Sequence, residues 1–130
     1  MKLEIFTDGG CSGNPGPASI GVVIKQSGKT IKEIAEPIGQ ATNNIAEYTA
    51  MIVALKEALV LKATEIDVKT DSELMYKQII GEYKVKHEGI KPLFEEVMQL
   101  KSGFKTAKFA HIPREQNKEA DALTRKAMKL

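Results

Sequence analysis

Four short segments set an acid beside small or turn-forming residues: Thr7-Asp8-Gly9-Gly10, Thr42-Asn43-Asn44-Ile45-Ala46-Glu47, Thr70-Asp71-Ser72 and Asn117-Lys118-Glu119-Ala120-Asp121. Each falls where an apolar stretch stops or a helix is expected to start. Strand ends and helix starts are where an α/β domain gathers distant side chains into one cleft. Carboxylates held close together repel, and they stay ionised together only with cations between them. Asp8, Glu47, Asp71 and Asp121 are therefore candidate magnesium ligands, and the chemistry that follows is that of phosphate esters.

The elements that must position these acids are legible in the spacing. Residues 2–7 alternate polar and apolar, as a strand does. Residues 8–17 are rich in Gly, Asn and Pro and predict a tight loop. The β-branched, almost continuously apolar stretch 20–25 predicts a central strand, Ser27-Gly28-Lys29 a hairpin turn, and 30–38 the return strand. Ile45, Tyr48, Ile52, Leu55 and Leu59 share one helical face across 44–61, with Asn44 as N-cap and Glu47 in the first turn. A strand follows at 65–70, then a helix at 72–80 that Gly81 can end. Residues 82–91 form a polar connection, and Pro92 suits the first turn of a helix reaching about Leu100. The last strand is expected at 104–111, and the last helix from Arg114 or Glu115 to Met128. The fold class is thus α/β. Three antiparallel strands and two later parallel ones should form a five-stranded mixed sheet flanked by helices.

Each acid alone has an ordinary structural explanation. Asp8 suits a turn, Glu47 a capping box, Asp71 the cap of the next helix, and Asp121 a solvated helix face two turns into its helix. Together they point elsewhere. If the first and fourth strands are adjacent and parallel, Asp8 and Asp71 emerge side by side. Glu47 and Asp121 can then be packed over the same sheet end. Two pairs of acids on one spot suit two cations roughly 4 Å apart, clamping the attacking and leaving oxygens of a phosphodiester.

The segments TDGGCSGNPGPASIG, TNNIAEY, TDSELMYKQIIGEYK and HIPREQNKEAD resemble type 1 ribonuclease H in its compact form, over residues 2 to about 128. The resemblance implies an RNase H-like fold and magnesium-dependent cleavage of the RNA strand of RNA–DNA hybrids, leaving 5′-phosphate and 3′-hydroxyl ends. Manganese is a possible substitute, and double-stranded RNA a possible further substrate. By motif match, Asp8, Glu47, Asp71 and Asp121 are the metal-binding catalytic carboxylates. Gly9 and Gly10 would let backbone approach the substrate, and Asn14, Thr42, Asn43 and Asn44 would contact phosphate and sugar. The family places a mobile assisting residue, usually histidine, before the last acid. His111 matches by spacing, and Arg114 sits where a loop would point into the cleft. His87 reads as a surface residue.

There are departures from the pattern. Larger members carry a long basic protrusion rich in Lys and Trp, whereas here residues 81–91 offer Lys84 and Lys86, and the chain has no tryptophan. Glu73 stands where an amide is common. Rival expectations are an inactive binding module on the same fold, or another nuclease sharing it. All four acids speak against the first, and the Asn-Asn-x-x-Glu and Gly-Asn-Pro-Gly-Pro segments against the second.

Composition sets the outer bounds. A 130-residue chain, 42% hydrophobic and 28% charged, is expected to form one domain over 1–130 with one core. A net charge of +2 needs its lysines on one face to bind nucleic acid. The single Cys11 excludes an internal disulfide and fits a reducing compartment. With no apolar leader and no stretch near the ~20 residues of a membrane span, a cytoplasmic, monomeric protein is expected.

Overall fold

The alternation at residues 2–7 continues further than the composition suggests. In the computed structural model, which describes residues 1–128, β1 runs Lys2–Cys11, β2 Gly16–Gln26 and β3 Lys29–Ala41. The expected loop at 8–17 is therefore mostly strand. Antiparallel pairing with β2 extends from Glu4↔Lys25 through Asp8↔Gly21 to Cys11↔Ala18. Glycines normally weaken a strand. Here Gly9 is needed because the backbone of the following helix presses on the strand at that position. Helix α1 is Asn43–Val60, β4 is Glu65–Thr70, and α2 is Glu73–Ile79. Helix α3 is Lys91–Lys101, β5 is Thr106–His111, and α4 is Lys118–Met128.

The sheet order is β3-β2-β1-β4-β5, with β4 parallel to both β1 and β5. The expected RNase H-like fold and mixed sheet are what the structure shows. Leu3, Ile5, Ile66 and Val68 meet Met51, Leu55 and the small residues Ala50, Ala54 and Ala58 of α1 in the main core. Small residues along α1 let its backbone lie close to the sheet, and α3 packs against its outer side.

The return strand runs on to Ala41 and the last strand begins only at Thr106, and two helix starts near the acids also differ from the sequence reading. The side chain of Thr42, not Asn44, caps α1 by accepting from Ile45 N at 3.2 Å. Glu47 then falls beyond the first turn. At the other end, Arg114–Gln116 is a single 3-10 turn, and α4 begins only at Lys118. Asp121 thus lies in the first turn of α4 rather than two turns in, with its N–H donating to Asn117 O at 3.0 Å. Pro113 delays the helix, since its extended backbone caps the short turn instead.

Helix α4 covers the face of the sheet opposite α1. A Cβ at Gly21 would lie 2.2 Å from Ala120 O, so only glycine permits this approach. Gly21→Ala should therefore push α4 off β2 and cost about 1–3 kcal/mol, as overpacking does. A urea midpoint equal to wild type would show that α4 is not seated this closely.

Candidate metal centre and cleft

The parallel register sets the geometry. Thr7 pairs with Thr70, so Asp8 and Asp71 follow on adjacent strands at the same level. Helix α1 brings Glu47 over them, and its Oε1 accepts from Gly9 N at 3.0 Å. A Cβ on Gly9 would lie 2.4 Å from the carbonyl of Ala46, so glycine is what admits α1 this close. One carboxylate oxygen from each of Asp8, Glu47 and Asp71 lies within 4.8 Å of the others. These acids line an open cleft of about 450 Å³.

Asp121 lines the same cleft but stands apart from the three. Its carboxylate forms ion pairs with Arg125, at 3.1 Å from Nε, and with Arg114, at 3.7 Å from Nη2.

Three residues not singled out from the sequence hold this arrangement. Asn117 is buried, and its Nδ2 donates to Thr7 O at 2.9 Å and to Asp71 Oδ2 at 3.2 Å. It joins the β1 end, Asp71 and the start of α4 in one contact. The signal was present in the sequence, since Asn117 opens the last acidic segment just past a proline-bounded turn. Thr124, also buried, donates to Ala120 O at 3.0 Å and lies beside Asp8. Arg125 was hidden among ordinary helix-surface charges.

Burial acts on the acids before any cation does. It pushes the Asp8 carboxyl up to about 6, and Asp71 and Asp121 add to the rise, against the opposing Thr124 hydroxyl and Arg114. Glu47 is raised well above the usual carboxylate range, by burial first and then by Asp8 and Asp71. Gly9 N–H and Arg114 offset part of this.

Other expected residues fall in different places. Gly10, Asn43 and Arg114 line the acidic cleft. Asn14 accepts from Asn43 N at 3.0 Å, which ties the β1–β2 turn to the start of α1. Thr42 caps α1 and, with Asn14, Asn44 and His87, lines a neighbouring groove. Lys84 and Lys86 line a separate hollow with Leu74 and Tyr83, outside the acidic cleft. His111 ends β5, stacks on Tyr76 at 6.1 Å between centroids, and is not among the residues lining the cleft.

A family profile described as reverse transcriptase-like matches residues 6–127. The bifunctional protein Rv2228c of Mycobacterium tuberculosis is 41% identical over 98% of this chain. The solved N-terminal RNase H domain of that protein superposes with a TM-score of 0.95, at 40% identity, covering 98% of this chain and 99% of that one. RNase H1 of the halophilic archaeon Halobacterium salinarum superposes with a TM-score of 0.96, at 35% identity, covering 99% and 98% of the two chains. LC11-RNase H1, from compost, solved in complex with RNA/DNA hybrid, gives 0.93 at 42% identity, covering 98% and 96%. The chain belongs to the ribonuclease H1 family. It spans 36% of the length of Rv2228c and 64% of the Halobacterium ribonuclease HI sequence.

The residues fit the divalent cation that this family implies. Three carboxylate oxygens in one cluster form a hard donor set of the kind magnesium takes. Two of those carboxylates are buried and shifted toward their neutral forms, a cost that a bound cation would remove.

A pH dependence follows. The native state holds the Asp8 proton up to about pH 6, whereas the unfolded chain releases it near 3.9. Without metal, stability should therefore fall as pH rises through that window, by at most about 3 kcal/mol from Asp8. Asp8→Asn should flatten this slope and unfold at a higher temperature than wild type at pH 7 in chelator. Thermal melts from pH 4 to 7 check this, and an unchanged slope in the variant would refute it.

Proposed function

We propose that this chain is an endoribonuclease that hydrolyses the RNA strand of RNA–DNA hybrids with magnesium, leaving 5′-phosphate and 3′-hydroxyl ends. The observation that carries this reading is the cluster of Asp8, Glu47 and Asp71 oxygens within 4.8 Å, placed in an open cleft. The hybrid bound to LC11-RNase H1, a neighbour 42% identical to this chain, supports the choice of substrate.

Asp8, Glu47, Asp71 and Asp121 are the residues that would hold magnesium, with manganese as substitute. When bound, the ions supply Lewis-acid activation of water and of the scissile phosphate. The remaining steps belong to the chain. The β1–β4 register and Asn117 hold Asp8 and Asp71 at fixed separation. Gly9 N–H and the buried wall of α1 orient Glu47. Arg114 lines the cleft with an exposed side chain and would bind the phosphate as its charge develops. Asn14, Thr42, Asn43 and Asn44 border the cleft and adjoining groove with neutral donors and acceptors, which suit a ribose 2′-hydroxyl and sugar–phosphate backbone. Lys84 and Lys86 neutralise phosphate outside the cleft.

One gel tests the reading. Labelled hybrid, duplex RNA, duplex DNA and single strands are incubated with magnesium, with manganese and with chelator. Internal cuts in the RNA of the hybrid are expected, with duplex DNA intact and all cleavage lost in chelator. Asp8→Asn or Asp71→Asn should abolish cleavage. Products that grow only from one end, or cleavage in excess chelator, would overturn the reading.

The same assay separates the assisting residues. Arg114→Ala should lower kcat roughly ten- to a thousand-fold, as loss of a charge partner in the transition state does. His111→Ala should leave kcat near wild type and keep the shape of its pH profile between 6 and 9. The reverse pattern would reassign the role to His111. Replacing Lys84 and Lys86 with Ala should raise KM more than it lowers kcat.

A further inference from the structure

Asp121 is the one acid of the four that already has a cation, and that cation belongs to the protein. Arg125, one turn along α4, forms an ion pair with Asp121, its Nε 3.1 Å from Oδ2. Arg114 Nη2 approaches the other oxygen at 3.7 Å. Both guanidinium groups line the acidic cleft. By contrast, no guanidinium pairs with Asp8, Glu47 or Asp71 among the described residues.

The two arginines are not equivalent. Arg114 sits on the 3-10 turn, whereas Arg125 is carried by the same helix as Asp121 and is held four residues away. The Arg125 contact is through Nε, and two Nη groups remain to bond a second anion. Its side chain is 64% exposed, so it has room to leave. A phosphate entering the cleft competes for such a guanidinium, because phosphate and carboxylate present the same bidentate geometry.

Resting on the metal-dependent reading above, we propose that Arg125 is a positioning residue that withholds Asp121 from divalent cations until an anionic substrate draws the guanidinium away. The cleft is thereby divided into an open three-carboxylate pocket and a guarded fourth acid. The first cation would enter at Asp8, Glu47 and Asp71. A second would need Asp121 freed.

Calorimetric titration of Mn²⁺ into the full chain, without nucleic acid, tests this. Wild type should show one stronger class of site, lost in Asp8→Asn, and one weaker. Arg125→Ala should tighten the weaker class roughly two- to five-fold, the range expected when an exposed ion pair is removed, and leave the stronger one unchanged. Arg125→Lys should fall between, and it serves if the alanine variant does not fold. In an Asp121→Asn background, Arg125→Ala should add nothing, an outcome a merely structural arginine would not give. Sodium sulfate, compared with chloride of equal ionic strength, should tighten the weaker class in wild type and not in Arg125→Ala. Superimposable isotherms for wild type and both Arg125 variants, or the same gain in the Asp121→Asn background, would overturn the proposal. The titration involves no cleavage. A chain that failed to cut hybrid yet showed the Arg125 effect would lose the ribonuclease reading and keep this one.

Discussion

The pairing of Thr7 with Thr70 is the contact on which the rest of the site depends. A parallel ladder brings strand ends to the same level only when the chain returns by a crossover, and α1 provides it. The next residue on each strand is an aspartate, so two carboxylates emerge side by side without any loop having to find a conformation. Asp8 is anchored by its pairing with Gly21, and Asp71, one residue past β4, by the buried Asn117 side chain. Shifting Asp8 means breaking a sheet pairing, and shifting Asp71 means breaking its contact with Asn117.

The cost of that anchoring is electrostatic. Asp8 and Glu47 are almost fully buried, and beyond that burial Asp8 and Asp71 raise the hold of Glu47 on its proton, while Asp71 and Asp121 do the same for Asp8. The protein offsets part of the repulsion with fixed dipoles and one guanidinium: Gly9 N–H on Glu47, Asn117 Nδ2 on Asp71, and Arg114 facing the group. These contacts leave the acids incompletely compensated. A cleft fully neutralised by its own side chains would have no free energy left to gain from a cation. The partial compensation leaves a bound cation free energy to gain at these acids.

The fold and the three clustered acids were legible because both rest on periodic signals. Alternation marked β1, helical spacing marked α1, and the order of elements fixed which strand ends meet. What escaped the sequence were interactions between segments far apart in the chain. The strand at 8–11 looked like a loop because its glycines are turn formers. Nothing local reveals that Gly9 faces Ala46 and Gly21 faces Ala120. The cap of α1 was misplaced by two residues because Thr42 and Asn44 are both good caps, and tertiary contacts decide between them. Asn117 bonds residues 110 and 46 positions away, a relation that only the structure exposes. The same holds for Asp121, whose segment was evident but whose arginine partners were not.

Charge placement explains how a nearly neutral chain could still hold a polyanion. Lys2, Lys25, Lys32, Lys56, Lys69 and Lys77 are each paired with an acid in the same fold. A lysine already paired attracts phosphate weakly, since its field is cancelled at short range. Lys84, Lys86 and Lys91 have no such partner among the described residues. Part of the unpaired positive charge, Lys84 and Lys86, thus lies on the connection between α2 and α3 and lines the hollow that shares Leu74 with the acidic cleft. A bound strand leaving the carboxylates over Leu74 would meet these lysines next. The net charge of the sequence says little about this, because pairing, and not the count of basic residues, decides where an anion is attracted.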